Sequence, residues 1–201
     1  MMSTQDRMFP ATAMPDREWW HALWPDPDKV VSALRIGQGI MVVDLGCGDG
    51  YFTAAIARQV GAGHVVGVDL DPVMLEQAQA AYEGMSNCSW LLGDAMALSR
   101  LLDASADYVL IANTFHGVPD KTAMAQEIAK ALKPNGRLAI VNWHPLPREQ
   151  TTVFGHPRGP KTAMRMSTEQ TRKVVEPAGF KLETQVELPP YHYGAVFIRT
   201  H

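Results

Sequence analysis

Short runs of β-branched and other apolar residues alternate along this chain with stretches whose apolar positions recur every three or four residues. The first pattern fits strands buried on both faces, and the second fits amphipathic helices laid over them. Strands are predicted at 40–45, 64–69, 89–92, 108–112 and 137–142, with helices at 51–60, 72–82, about 96–102 and 121–132 between them. Such alternation builds a parallel sheet covered on both sides. Beyond Pro145 the rhythm breaks. Residues 145–166 hold four prolines and two glycines without a period, a stretch longer than loops usually run unless they serve a site. A helix resumes over 168–177 behind the cap Ser167, and two strands, 181–188 and 193–200, close across Pro189-Pro190-Tyr191-His192. A connection that short requires an antiparallel pair. The expected fold is α/β: three layers around a doubly wound, seven-stranded, mostly parallel sheet whose last strand is antiparallel.

Ahead of the alternation, residues 1–15 show no period. A short helix is expected from Asp16, as its cap, to Trp24, where Pro25 stops it. Trp19, Trp20 and Trp24 must either pack on the main domain or roof a pocket, with Arg17 beside them. A second helix is expected over 27–36, with Pro27 in its first turn and Gly37 and Gly39 ending it. This divides the chain into a helical segment, 1–36, able to act as a lid, and a main domain, 37–201.

Composition narrows the classes. Apolar residues make up 46% and charged residues 19%, as in soluble globular domains. A net charge of −3 gives no overall basic footprint for nucleic acid. Cys47 and Cys88 are two cysteines without a disulfide framework, which suits a reducing cytoplasm. No signal peptide and no membrane-spanning apolar run is expected, and no histidine has metal-ligand spacing. The pattern leaves the oligomeric state open.

Chemistry concentrates where strands end. Val42-Val43-Asp44-Leu45-Gly46-Cys47-Gly48-Asp49-Gly50 closes the first strand, and Asp69 closes the second about twenty residues later, where βαβ units place a carboxylate on ribose hydroxyls. Glycines here let the backbone turn sharply and bring bare N–H groups to a ligand. A dinucleotide fingerprint would need a third glycine where Tyr51 stands, and Asp44 and Asp49 would repel a pyrophosphate. A cationic cofactor without phosphate suits the loop better. Asp49 and Asp71 also read as helix caps, and Tyr51 and Phe52 as core.

The stretch from Asp44 to Gly50 resembles the first motif of the class I S-adenosylmethionine-dependent methyltransferases, acid-x-Gly-x-Gly-x-Gly, and the likeness extends in detail from Met41 to Asn142. It implies S-adenosyl-L-methionine as cofactor and S-adenosyl-L-homocysteine as product. The residues it implies for the cofactor are Asp44, Gly46, Cys47, Gly48, Asp69, Leu70, Met74, Asp94, Ala95 and Asn113. Among these, Asp94 and Ala95 would read the adenine, and Asp44 would orient the methionine ammonium. Lys133-Pro134-Asn135-Gly136 resembles the family's turn into the fifth strand, with Gly136 expected at positive φ.

His116 and His144 lie just past strand ends and are candidate bases; His116 is equally readable as a loop histidine, and His144, flanked by Trp143 and Pro145, reads as pocket lining before base. Asn113-Thr114-Phe115-His116 lacks the Asn/Asp-Pro-Pro-Tyr/Phe tetrapeptide of enzymes that methylate base or glutamine nitrogens. A small-molecule acceptor is therefore expected and no nucleic acid. Trp19, Trp20, Arg148, Arg158 and Arg165 are candidate substrate contacts, the arginines clustering in the irregular segment. Two other readings remain: a non-catalytic adenosylmethionine-binding protein, and an NAD-type oxidoreductase, which Tyr51 and the acids oppose.

Overall fold

The computed structural model describes residues 17–200. Residues 1–16, including the expected cap Asp16, lie outside the described residues, as does the side chain of Arg17. Helices α1 (Arg17–Leu23) and α2 (Pro27–Ala33) lead into β1 (Met41–Leu45), α3 (Tyr51–Val60), β2 (His64–Asp69), α4 (Pro72–Ala81) and β3 (Cys88–Leu92). There follow α5 (Leu98–Leu101), β4 (Ala106–Ala112), α6 (Lys121–Ala131) and β5 (Leu132–Trp143). A small hairpin, β6 (Thr152–Val153) with β7 (His156–Pro157), precedes α7 (Thr168–Val175), β8 (Phe180–Leu188) and β9 (His192–Arg199).

Seven strands form one sheet in the order β3-β2-β1-β4-β5-β9-β8. The pairs from β3 through β5 are parallel, while β9 runs antiparallel to both β5 and β8. The last strand is thus reversed, as the short connection required. Because β1 pairs with β2 on one side and β4 on the other, the chain reverses its winding there. Open α/β sheets bind ligands at that crevice, outside the carboxyl ends of the strands.

Period-2 alternation divides the strand side chains between two cores. Val42, Val65, Tyr108, Ala139 and Val141 join the aromatic residues of α1 and α3 on one face. Val43, Val66, Val109, Leu138 and Ile140 join Leu98, Ile128, Val175 and Phe180 on the other. Residues of α1 and α2, among them Trp20, Trp24, Val31 and Leu34, belong to the first core. The Tyr51 phenol donates to the Trp24 carbonyl, and the Trp24 indole donates to Pro189 O at 3.2 Å, so α1 is tied both to α3 and to the β8–β9 turn.

Element bounds follow the expectations closely where capping is local. Asp71 and Asp120 cap α4 and α6, and Ser167 with Gln170 forms a reciprocal capping box on α7. Three details differ. Helix α2 stops at Ala33, ahead of Gly37, because Arg35 takes a positive φ of 58° while Leu34 is fully buried. Strand β5 begins at Leu132, which pairs with Ala106 across a register irregularity. In the turn that follows, Asn135 carries the positive φ, 61°, in place of Gly136. Gly136 is needed there for closeness, since a Cβ would lie 2.9 Å from the Lys133 carbonyl oxygen. The irregular stretch after β5 contains short 3-10 turns at Arg148–Gln150 and Thr162–Met164 around the β6–β7 hairpin.

Gly67 sits opposite Trp90 in the β2–β3 ladder, and a Cβ on it would come within 2.6 Å of that ring. Gly67→Ala is expected to cost about 1–3 kcal/mol by overpacking, and Trp90→Leu in the same chain to recover part of the loss. Urea unfolding of the two single variants and the double variant checks this; additive losses would show that Gly67 is not held by the ring.

Candidate active site

The site begins with the turn out of β1. Gly46, Gly48 and Gly50 take φ of 75°, 55° and 80°, which other residues adopt only with strain. Gly46 and Cys47 donate their N–H groups to Val68 O at 2.7 and 3.1 Å, and Gly48 donates to Asp69 Oδ2 at 2.8 Å. The other Asp69 oxygen accepts from the Asp71 N–H at 2.9 Å. Each carboxylate oxygen keeps a further lone pair for a ligand. A Cβ at Gly46 would press on the Thr114 side chain at 3.2 Å, so the turn after β1 and the one after β4 touch.

Asp44 is buried beneath this turn and accepts from the Thr53 hydroxyl at 2.6 Å. Burial pushes its carboxyl up to about 7; Thr53 pulls the other way, and Asp69 and Asp49 add to the rise. Burial, with Asp44 and Asp69 nearby, also pushes the Cys47 thiol up, so it stays a neutral thiol. Asp49 accepts from the Tyr51 N–H at 3.2 Å, but it is not the expected cap: the N-cap of α3 is Gly50, in the left-handed region, with no side-chain cap bond.

Leu70 and Met74 are half-buried around the start of α4. At the end of β3, Asp94 accepts from the Met96 N–H at 2.9 Å and opens the 3-10 turn Ala95–Ala97. Val73, Leu92 and Met96 nearby in the chain are exposed apolar side chains, with Leu92 paired to Asp69 in the ladder. At the end of β4, Asn113 has a φ of 61°, is 8% exposed, and neither its Oδ1 nor its Nδ2 has a partner among the described residues. Three residues on, His116 is buried, with no partner for Nδ1 among the described residues. Burial, then Lys121 and Arg165, hold its pKa down at about 4, so the ring is neutral at neutral pH.

Other candidates have different surroundings. His144 Nε2 lies 2.9 Å from Glu187 Oε2, and its ring is 5.3 Å from Tyr193. Trp19 and Trp20 are buried edge to face, 4.6 Å apart, in the core. Arg148 donates to Gly159 O at 3.0 Å. Arg165 donates to Pro160 O, Leu146 O, Thr151 Oγ1 and Arg158 O, and its guanidinium stacks 5.0 Å from the Trp143 ring. Its donors knit the irregular segment together. Arg158 holds the same knot through its carbonyl, while its own Nε is buried without a partner among the described residues.

Residues 42–136, which include the glycine turn, Asp69, Asp94 and Asn113, match the model of a family described as methyltransferase domain. Over this stretch, just under half of the chain, it is similar to methyltransferases. Demethylmenaquinone methyltransferase of Staphylococcus aureus is 34% identical over 122 residues, 60% of this chain and 49% of the relative. The Lactobacillus johnsonii protein of the same name is 36% identical over 117 residues, 56% of this chain and 48% of the relative. The chain thus matches about half the length of these curated relatives. In fold it is similar to a SAM-dependent methyltransferase of Aquifex aeolicus, with a TM-score of 0.76 and 23% identity over 91% of this chain and 93% of that one.

Against the methyltransferase motifs, the sequence pattern passed over Thr53, Thr114 and Leu92. Thr53 is fully buried two residues into a helix, a position where a hydroxyl signals a local partner. Thr114 and Leu92 gave no signal, because their places depend on contacts between strands.

The raised Asp44 carboxyl makes stability depend on pH. The folded chain keeps a proton that the unfolded chain releases above about pH 4, so stability is lost as pH rises from about 4 through 7. His116 acts oppositely, since a lowered folded pKa removes stability as pH falls from 6.5 toward 4. Asp44→Asn is therefore expected to stabilise the ligand-free protein by on the order of 3 kcal/mol at pH 8 and hardly at all at pH 4. Thermal unfolding across that range tests it; a gain independent of pH would contradict the assignment.

Proposed function

We propose that this chain transfers a methyl group from S-adenosyl-L-methionine to a small-molecule acceptor, leaving S-adenosyl-L-homocysteine, and does so in the cytoplasm. The observation that carries this reading is the glycine turn clamped between two acids, Asp44 beneath it and Asp69 beside it. Such a turn suits a nucleoside with a cationic tail and repels a pyrophosphate. Tyr51, buried at the start of α3, occupies the place a dinucleotide-binding turn gives to glycine. Asn113 supports the same reading, because a buried amide without partners is costly unless a ligand completes it.

In this reading the Asp69 carboxylate takes the ribose hydroxyls with its remaining lone pairs. Gly46 and Gly48 leave room for the methionine portion, and Asp44 lies ready to balance its ammonium. The carboxyl then ionises, favoured by the new positive charge. Asp94 and Ala95 face the adenine among Met74, Val73, Leu92 and Met96. The bound cofactor supplies an electrophilic methyl carbon whose bonding pair remains on sulfur when it leaves. What the chain contributes is alignment and exclusion of water.

A small molecule is favoured as acceptor because Asn113-Thr114-Phe115-His116 lacks the tetrapeptide associated with methylation of base nitrogens, and because the curated relatives are named for demethylmenaquinone. No helix among the described residues is long and apolar enough to cross a membrane.

Calorimetry with both adenosyl ligands and with NAD tests the proposal. Binding of the adenosyl ligands at about −8 kcal/mol, weakened at least tenfold in Asp69→Ala and absent for NAD, is expected. NAD binding, or no binding by any of the three, would overturn it.

A further inference from the structure

A cavity of about 820 Å³ opens beside the turn after β4, on the α6 and α7 side of the sheet. Its wall joins His116 to Lys121 at the start of α6, Met164 and Met166 from the irregular segment, and Lys173 on α7. The size suits an organic molecule of metabolite or drug dimensions. His116, one of the lining residues, is the buried imidazole whose Nδ1 has no partner among the described residues. The turn from Asn113 to His116 links the cavity with the glycine turn, because Thr114 packs on Gly46.

The cations decide what fits. Neither Lys121 nor Lys173 forms an ion pair among the described residues. Lys121 Nζ donates to Val118 O at 2.7 Å, which leaves two of its three donors for another acceptor. Arg165 also lines the cavity and adds positive charge, though its hydrogen bonds go to the irregular segment. Asp120 is the opposing charge in the wall, and its carboxylate is engaged in capping α6 through the Ala123 N–H at 2.9 Å. Two lysines without ion pairs among the described residues, an unsatisfied imidazole and two thioethers that favour aromatic rings line the same cavity.

We infer that this cavity is the acceptor pocket and takes a hydroxylated aromatic acid, with Lys121 and Lys173 on the carboxylate and the hydroxyl donating to His116 Nδ1. This rests on the methyltransferase reading only for the word acceptor; anion binding by the cavity stands or falls by itself. His116 would then hold the hydroxyl oxygen beside Asn113, on the turn shared with the cofactor side.

The test uses 4-hydroxyphenylacetate, its neutral amide, its amine analogue tyramine, and phenylacetate. Each is titrated into the full chain and followed by amide chemical shifts, with and without S-adenosyl-L-homocysteine. The acid is expected to bind, the amide about tenfold more weakly, and tyramine not at all. Shifts should centre on residues 116–122 and 163–174. Lys121→Met and Lys173→Met should each weaken the acid about fivefold, while Lys130→Met, whose ammonium pairs with Glu127, should not. Phenylacetate should bind less well than the acid in the wild type and equally in His116→Ala. Equal binding of acid, amide and amine, or shifts elsewhere, would overturn the assignment. Acid binding without S-adenosyl-L-homocysteine binding would uphold the anion pocket and defeat the methyltransferase proposal; the converse would defeat only the pocket.

Discussion

The carboxylate of Asp69 holds together the part of the molecule on which the rest of the site depends. One oxygen accepts from Gly48 in the turn after β1 and the other from Asp71 at the start of α4. Two loops that leave adjacent strands are thereby fixed to a single side chain. Because charge-assisted bonds to backbone N–H groups are short and strong, the turn keeps its shape without a ligand. The arrangement is preorganised, and the entropy of ordering a glycine-rich segment is met at folding and not at binding.

That clamp would be pointless without the change of winding direction at β1. With β2 on one side and β4 on the other, the turns leaving β1 and β4 face each other across the crevice, and Gly46 touches Thr114 because no Cβ intervenes. The two sides of the crevice then differ in charge. Acids, Asp44 and Asp69, crowd the side of β1 and β2, while Lys121, Arg165 and Lys173 surround the hollow between α6 and α7. Separation of unlike charges across one sheet edge sorts a cationic ligand from an anionic one before any close contact forms.

Much of the fold was legible because strands and helices here announce themselves locally. The runs 42–45 and 64–69 are β-branched and end in an acid, and Asp71, Asp120 and Ser167 cap helices as their types suggest. The approach of Gly48 to Asp69 was likewise readable, since spacing along one βαβ unit brings them together. What remained illegible is settled by partners far along the chain. Arg165 looks like a free cation until the carbonyls of Leu146, Arg158 and Pro160 close on it, and the partner that His144 finds in Glu187 comes from β8. Gly136 illustrates a subtler limit: glycine marks either positive φ or close approach, and only the built turn tells that Asn135 takes the first and Gly136 the second.

The aromatic residues of α1 carry an optical consequence. Trp20 and Trp24 stack with centroids 5.6 Å apart and planes inclined by 7°, Trp19 meets Trp20 edge to face, and Trp143 lies 6.0 Å from Trp19. Four of the five indoles therefore form one array in which an absorbed photon is shared among neighbours before it is emitted. Trp90 stands apart, its ring against Gly50 and Gly67 beneath the glycine turn. The chain thus contains two chromophores in effect, one an exciton-coupled reporter of how α1 seats on the sheet, the other a single indole looking at the turn where the adenosyl ligand is expected.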